Sequence, residues 1–295
     1  MSNSGESIVI TEVGPRDGLQ NEQQVIPAET KIELIDRLSQ AGFPEIEVSA
    51  FVRPDVVPQL SDAASVLGGI QRRPGGVYSA LVPNERGLIR AIEAGVQKVS
   101  VFTAASETFA AKNTNATIAE TIERFRPVVQ IAAAEGLMVR AYVSCVVACP
   151  YEGAVDPGDV VSVIEQLQAL GAMEIDLGDT IGAAEPSDIE RLLACVGEIV
   201  PIDELVLHLH DTRGGAVSCA RRALELGARR FDAAVGGLGG CPFAPGAPGN
   251  LASETLLSLC DSMGFCTGVD AAAVADIGQW IRGVVGRCTT TPDQK

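Results

Sequence analysis

The segment Val206-Leu207-His208-Leu209-His210-Asp211-Thr212-Arg213-Gly214 opens as a strand and ends in a polar turn. Both histidines of the chain lie in it, two residues apart. On a strand, residues at i and i+2 share a face. His208 and His210 therefore project together with Val206 behind them, while Leu205, Leu207 and Leu209 face the other way. A pair of satisfied core histidines is the plain alternative. Two imidazoles side by side at a strand end are also a ligand set for a divalent ion.

Working outward, the same unit of a strand followed by a helix recurs along the chain. The strands read from the sequence are 7–13, 45–50, 76–82, 98–103, 139–146, 173–177, 204–209 and 230–235. Helical spacing marks 27–40, a stretch through Leu67, 85–94, a long helix over 118–134, then 157–170, 186–199, 215–226 and 251–263. A further helix over 271–285 follows, and Thr289 to Lys295 is expected to fray. Eight such units predict an α/β chain: a single (β/α)8 TIM-barrel domain over residues 1–295 with an extra C-terminal helix. A doubly wound open sheet is the other arrangement, but no GxGxxG follows the first strand. In a barrel the site gathers at the C-terminal strand ends. Arg16 and Asp17, Glu47 and Ser49, Asp176 and Asp179, and the two histidines all fall there.

Composition narrows the function. The chain is 46% hydrophobic with 4% aromatics, so aliphatic residues supply the core, as buried parallel strands require. A net charge of −16 argues against a nucleic-acid surface but leaves room for a small anion held by local arginines. The eight cysteines show no paired CxxC pattern and are expected to be reduced thiols of a cytoplasmic protein. No apolar run reaches membrane-spanning length.

Asp17, His208 and His210 form a two-histidine, one-carboxylate set with open positions, to which Asn250 could add an amide oxygen; the chemistry leans to Mg²⁺ or Mn²⁺. Taken alone, Asp17 reads as a turn residue. Arg16 offers a fixed positive charge for an enolate or thioester oxygen, or a structural ion pair with Glu12 or Glu47. Glu47 faces the barrel interior if the alternation holds, where a carboxylate needs a partner. The Gly/Pro-rich run from Gly236 to Asn250 reads as a lid over the mouth, carrying Cys241 as a proton donor or acceptor.

Glu12-Val13-Gly14-Pro15-Arg16-Asp17-Gly18-Leu19-Gln20-Asn21-Glu22, the segment from His208 to Gly214 and the glycine–cysteine loop together resemble the 3-hydroxy-3-methylglutaryl-CoA (HMG-CoA) lyase family. Phe102 to Asn113 and Tyr142 to Gly153 resemble it too. The resemblance implies metal-dependent cleavage of HMG-CoA to acetyl-CoA and acetoacetate, as in leucine degradation, by a homodimer. It implies metal on Asp17, His208, His210 and Asn250, with Arg16, Asp17, Glu47, His208 and Cys241 in the catalysis. Gln20 and Asn113 (beside Lys112) are implied substrate contacts. Ala50 stands where the family commonly has Ser, Asp176 where it has Ser, and Arg213 where it has Tyr. Asp176 is expected to face the substrate with Arg213 as its partner. These departures leave a different 3-hydroxyacyl-CoA thioester, of citramalyl type or with a longer branched acyl group, as an alternative substrate. A related aldolase or condensing enzyme is a second alternative, and a non-catalytic metal-bound barrel a third.

Overall fold

Alternating strand and helix periodicities build one closed parallel barrel. The computed structural model describes residues 5–240 and 249–286. The elements run β1 (Val9–Glu12), α1 (Ala28–Gln40), β2 (Glu45–Ala50), α2 (Ala63–Gly69), β3 (Val77–Leu81), α3 (Glu85–Glu93), β4 (Lys98–Ala104), α4 (Glu107–Thr114), α5 (Ile118–Arg124), α6 (Arg126–Ala134) and β5 (Met138–Ser144). They continue with β6 (Ala148–Cys149), β7 (Gly153–Ala154), α7 (Pro157–Leu170), β8 (Glu174–Asp179), α8 (Pro186–Val196), β9 (Val206–Leu209), α9 (Ala216–Glu225), β10 (Arg230–Ala233), α10 (Ser253–Ser262) and α11 (Ala271–Val284). The barrel order is β1-β10-β9-β8-β5-β4-β3-β2, closed by β1 against β2, with β6 and β7 a small antiparallel hairpin outside it. This is the (β/α)8 fold with its extra terminal helix, α11.

Local chemistry sets the helix ends. Asn84 Oδ1 accepts from Gly87 N at the start of α3, Thr117 and Glu120 form a capping box on α5, and Pro157 opens α7 behind Asp156. Gly171 ends α7 in the left-handed region at φ 110. The expected long helix over 118–134 is instead two helices meeting at Phe125. Pro127, just inside α6, has no N–H to give to a carbonyl four residues back, so the hydrogen-bond ladder breaks there. Helix α4 and the β6–β7 hairpin were not expected.

The aliphatic residues on the outer strand faces pack under the helices as the main core. The inner faces carry charge. Lys98 Nζ lies 2.9 Å from Glu45 and 2.5 Å from Glu174, and Arg140 lies 2.6 Å from Glu174 and 3.0 Å from Asp232. These five side chains are buried, and together they span β2, β4, β5, β8 and β10 across the barrel floor. Toward the mouth comes a second level around Glu47, Ser100 and Tyr142, and above it the residues that follow the strand ends.

Strand β2 is not regular. Glu47 pairs with Ser79, but Ser49 pairs with Ala80, a bulge that advances the inward face by one residue. Ser49 was expected on the mouth side with Glu47. Ala50 takes that place and packs with Leu81 and Phe102.

Candidate active site

Strand β1 ends in one π-helical turn, Gly14–Gly18, with Pro15 near its start. The turn carries Arg16 and Asp17 over the mouth. Arg16 donates from Nε to Glu47 and from Nη1 to Asp17 Oδ1 at 2.5 Å, and its guanidinium lies 5.2 Å from the Tyr142 ring centre. Burial alone would lower the Arg16 pKa, but the Glu47 and Asp17 carboxylates outweigh it and hold the cation well above its ordinary value. Arg16 is thus ion-paired with Glu47. Glu12 has other work: it accepts from Gly14 N, Val235 N and Ser253 Oγ, tying the turn to the segment after β10 and to α10. Its burial pushes its pKa up to about 8 despite those donors.

Asp17 accepts from Gln20 Nε2 at 2.8 Å and from Asn250 Nδ2 at 2.9 Å. Burial would raise its pKa; Arg16 and the two histidines oppose this and bring it to about 2. His208 Nε2 lies 3.9 Å from Asp17 Oδ2 and 3.2 Å from His210 Nε2. Ligand atoms of Asp17, His208 and His210 all fall within 4.8 Å of one another. Residues His210 and Asn250 form an isolated bridge, and Asp211 N donates to Gly249 O at 2.7 Å, so the loop returning from β10 is laced to the β9 end.

This set fits a divalent cation. The Nε2 atoms of the two imidazoles face each other at 3.2 Å beside Asp17. The Asn250 Oδ1 acceptor is buried without a partner among the described residues. Asp17 supplies the charge. On the far side of His208, Nδ1 lies 3.1 Å from Asp232 Oδ2, which fixes the ring with Nε2 toward Asp17. Burial disfavours the charged form of His208, but Asp232 and Asp17 raise its pKa overall; burial and the His208 neighbour lower that of His210 to about 4.

Other expected residues fall elsewhere. Asp176 is fully buried, one level below His208, with Arg140 Nη1 at 3.6 Å, and its carboxylate lies within 4.8 Å of ligand atoms of His208 and Asp232. Burial and the adjacent Asp232 charge raise its pKa well above the usual range, whereas burial of Asp232 is outweighed by Arg140 and His208, which lower its pKa. The partners of Asp176 are Arg140 and Asp232, not Arg213. Arg213 is exposed and lines a separate cavity of about 420 Å³ with Val146, Val155, Ile181 and Arg191. Asn113 sits exposed near the end of α4 and is not gathered into the cluster. Cys241 lies outside the described residues, as does Thr289–Lys295; a short 3-10 turn, Val235–Gly237, opens the glycine run that was expected to be irregular.

Tyr142, Asp232 and Arg140 were missed. Tyr142 OH donates to Glu47 at 3.1 Å, and its ring meets His208 edge-on at 6.0 Å. The available signal was alternation: Asp232 is a lone carboxylate between Phe231 and Ala233 in a buried strand.

Gly182 holds the loop after β8 against this site. At φ +58, a Cβ there would lie 2.8 Å from His210 O and 2.9 Å from Thr212 N. Gly182→Ala is expected to destabilise the fold by about 1–3 kcal/mol and to weaken metal binding by displacing His210. Thermal unfolding and Mn²⁺ titration of the variant check both; an unchanged Tm would show that the loop yields freely.

The HMGL-like family profile matches residues 7–281. The chain belongs to the HMGL-like family. A 3-hydroxy-3-isohexenylglutaryl-CoA/hydroxymethylglutaryl-CoA lyase of Pseudomonas aeruginosa is 47% identical over 285 residues, covering 97% of this chain and 95% of that one. The crystal structure of an HMG-CoA lyase from Brucella melitensis superposes with a TM-score of 0.94 at 47% identity, over 96% of this chain and 100% of that one. An HMG-CoA lyase from Acinetobacter baumannii, solved with coenzyme A and 3-methylmalate, gives 0.93 at 37% identity over 99% and 95%. The chain places Arg16, Asp17 and both histidines at the C-terminal mouth of this barrel.

Proposed function

We propose that this chain is a divalent-metal-dependent carbon–carbon lyase that cleaves HMG-CoA to acetyl-CoA and acetoacetate. The observation that carries the reading is the convergence of Asp17, His208, His210 and the unpartnered Asn250 Oδ1 beside a buried, fully charged Arg16. Near-full-length identity to lyases supports it. Asp17, His208, His210 and Asn250 would hold Mg²⁺ or Mn²⁺, which when bound makes a coordinated hydroxyl more acidic and fixes substrate oxygens.

The residues divide the rest of the work. A neighbouring base removes the C3 hydroxyl proton, while His208, oriented by Asp232, would keep Nε2 on the metal that makes this hydroxyl acidic. The C2–C3 bond then breaks, C3 becomes the ketone of acetoacetate, and the electron pair passes onto the thioester enolate. Arg16, gripped by Glu47 and Asp17, stands ready to stabilise that oxygen. Cys241 protonates C2 to give acetyl-CoA, as the resemblance implies. Gln20 steadies Asp17; Asn113, with Lys112, is a proposed contact for the CoA arm. A homodimer, a cytoplasmic location and a part in leucine degradation go with this reading.

Incubating purified protein with HMG-CoA and Mg²⁺ or Mn²⁺, with and without EDTA, tests it. Release of both products that EDTA abolishes is expected. No release from protein with metal demonstrably bound would move the activity to another 3-hydroxyacyl-CoA. The isohexenyl-accepting relative favours a thioester with a longer branch as that second reading.

A further inference from the structure

The barrel rim carries an apolar layer that none of these steps uses. Ala50, Leu60 and Leu81 are buried together, with Val52, Val57 and Phe102 packed on them, as a cluster of their own apart from the main core. Its position follows from register. Ala50 pairs with Leu81, Leu81 with Ser100, and Phe102 with Tyr142. On β4 the inward residues are Lys98, which meets Glu45, and Ser100, which meets Glu47. Two residues further along, Phe102 is inward at the next level toward the mouth. Its neighbour Tyr142 touches Glu47, Arg16 and His208. The layer therefore adjoins Tyr142, and through it the site, with the Phe102 ring centre 6.4 Å from that of Phe125. Phe102, Val52 and Val57 are half-buried, so the layer is partly exposed through these three residues.

A 3-hydroxyglutaryl thioester has three carbon substituents on C3. One arm leads to CoA and must reach solvent. One ends in a carboxylate, which an apolar wall without donors repels. The third is the alkyl group. We propose that the Ala50–Leu81–Phe102 layer receives the C3 alkyl substituent, and that the small Ala50 side chain lets it accept one longer than methyl. The substrate class is then 3-hydroxy-3-alkylglutaryl-CoA thioesters. The inference rests on the lyase reading and adds to it the residues that sort substrates.

The test compares kcat/KM of the metal-loaded full chain on HMG-CoA and on 3-hydroxy-3-propylglutaryl-CoA. Wild type is expected to cleave both, with the propyl substrate within about tenfold of the methyl one. Ala50→Leu is expected to lower the propyl-to-methyl ratio by about tenfold or more, the discrimination a small misfit makes in an apolar pocket. Ala50→Val moves it the same way by less and serves if the leucine variant does not fold. Phe102→Ala is expected to raise the ratio. Wild type that cleaves HMG-CoA but not the propyl substrate overturns the inference and leaves the lyase reading standing. So does a ratio unmoved in the Ala50 variants, and a parallel fall on both substrates assigns the layer to the pantetheine arm instead. Cleavage of neither substrate overturns the lyase reading and the inference with it.

Discussion

Arg16→Lys is expected to lower kcat by about 10²–10³-fold while changing Mn²⁺ affinity by less than about tenfold. The guanidinium reaches Glu47 through Nε and Asp17 through Nη1 and lies over the Tyr142 ring. Its remaining donors point where the fork leaves them. A lysine ammonium is a point charge on a flexible stem and cannot hold both carboxylates in one plane. The positive charge survives but its position does not, and the enolate oxygen loses a donor fixed in advance. Lysine is the informative variant because removing the charge altogether strands the buried Glu47 carboxylate, a loss of about 3–5 kcal/mol in stability. Asp17 keeps Gln20 and Asn250, so the metal set is largely spared. Steady-state kinetics beside Mn²⁺ titration separate the two. A lysine variant with kcat within a few-fold of wild type would remove Arg16 from the chemistry.

Asp232→Asn is expected to cost about 10–100-fold in metal affinity, with a fall in kcat at saturating metal. Asp232 Oδ2 accepts from His208 Nδ1 at 3.1 Å, leaving the Nε2 lone pair toward Asp17. An amide presents either N–H or C=O to Nδ1, and the N–H arrangement forces the proton onto Nε2. The substitution also takes away a charge that adds to burial in raising the Asp176 pKa and that Arg140 balances. Both effects converge on His208. Equal Mn²⁺ affinity and equal kcat in the variant would show that the ring is held by packing alone.

The fold was legible because its two periodicities are clean. Glu45–Ala50 and Pro157–Leu170 fall where the sequence places them. Helix α4 was invisible for a physical reason: its buried residues are only Phe109 and Ala110, too few for an apolar stripe. The site was legible in part. Residues close in sequence to a motif, such as Arg16, Asp17 and the histidine pair, announce themselves. Tyr142 and Asp232 do not, because alternation says which residues point inward but not which of them meet. That depends on the stagger of strands around the barrel, and in β2 on a bulge that put Ala50 where Ser49 was expected. The same gap sent Asp176 toward Arg213 in the sequence reading, when Arg140 reaches it from the neighbouring strand β5.

The ionic floor of the barrel has a consequence for how this chain can change over generations. Lys98, Arg140, Glu45, Glu174 and Asp232 form a mesh in which each cation serves more than one carboxylate. Replacing one member leaves its partners charged and dry, while replacing the whole set with aliphatic residues of similar volume is close to neutral. Single-step drift at these five positions is therefore blocked, and because Asp232 also orients His208, descendants that keep the site are expected to keep all five.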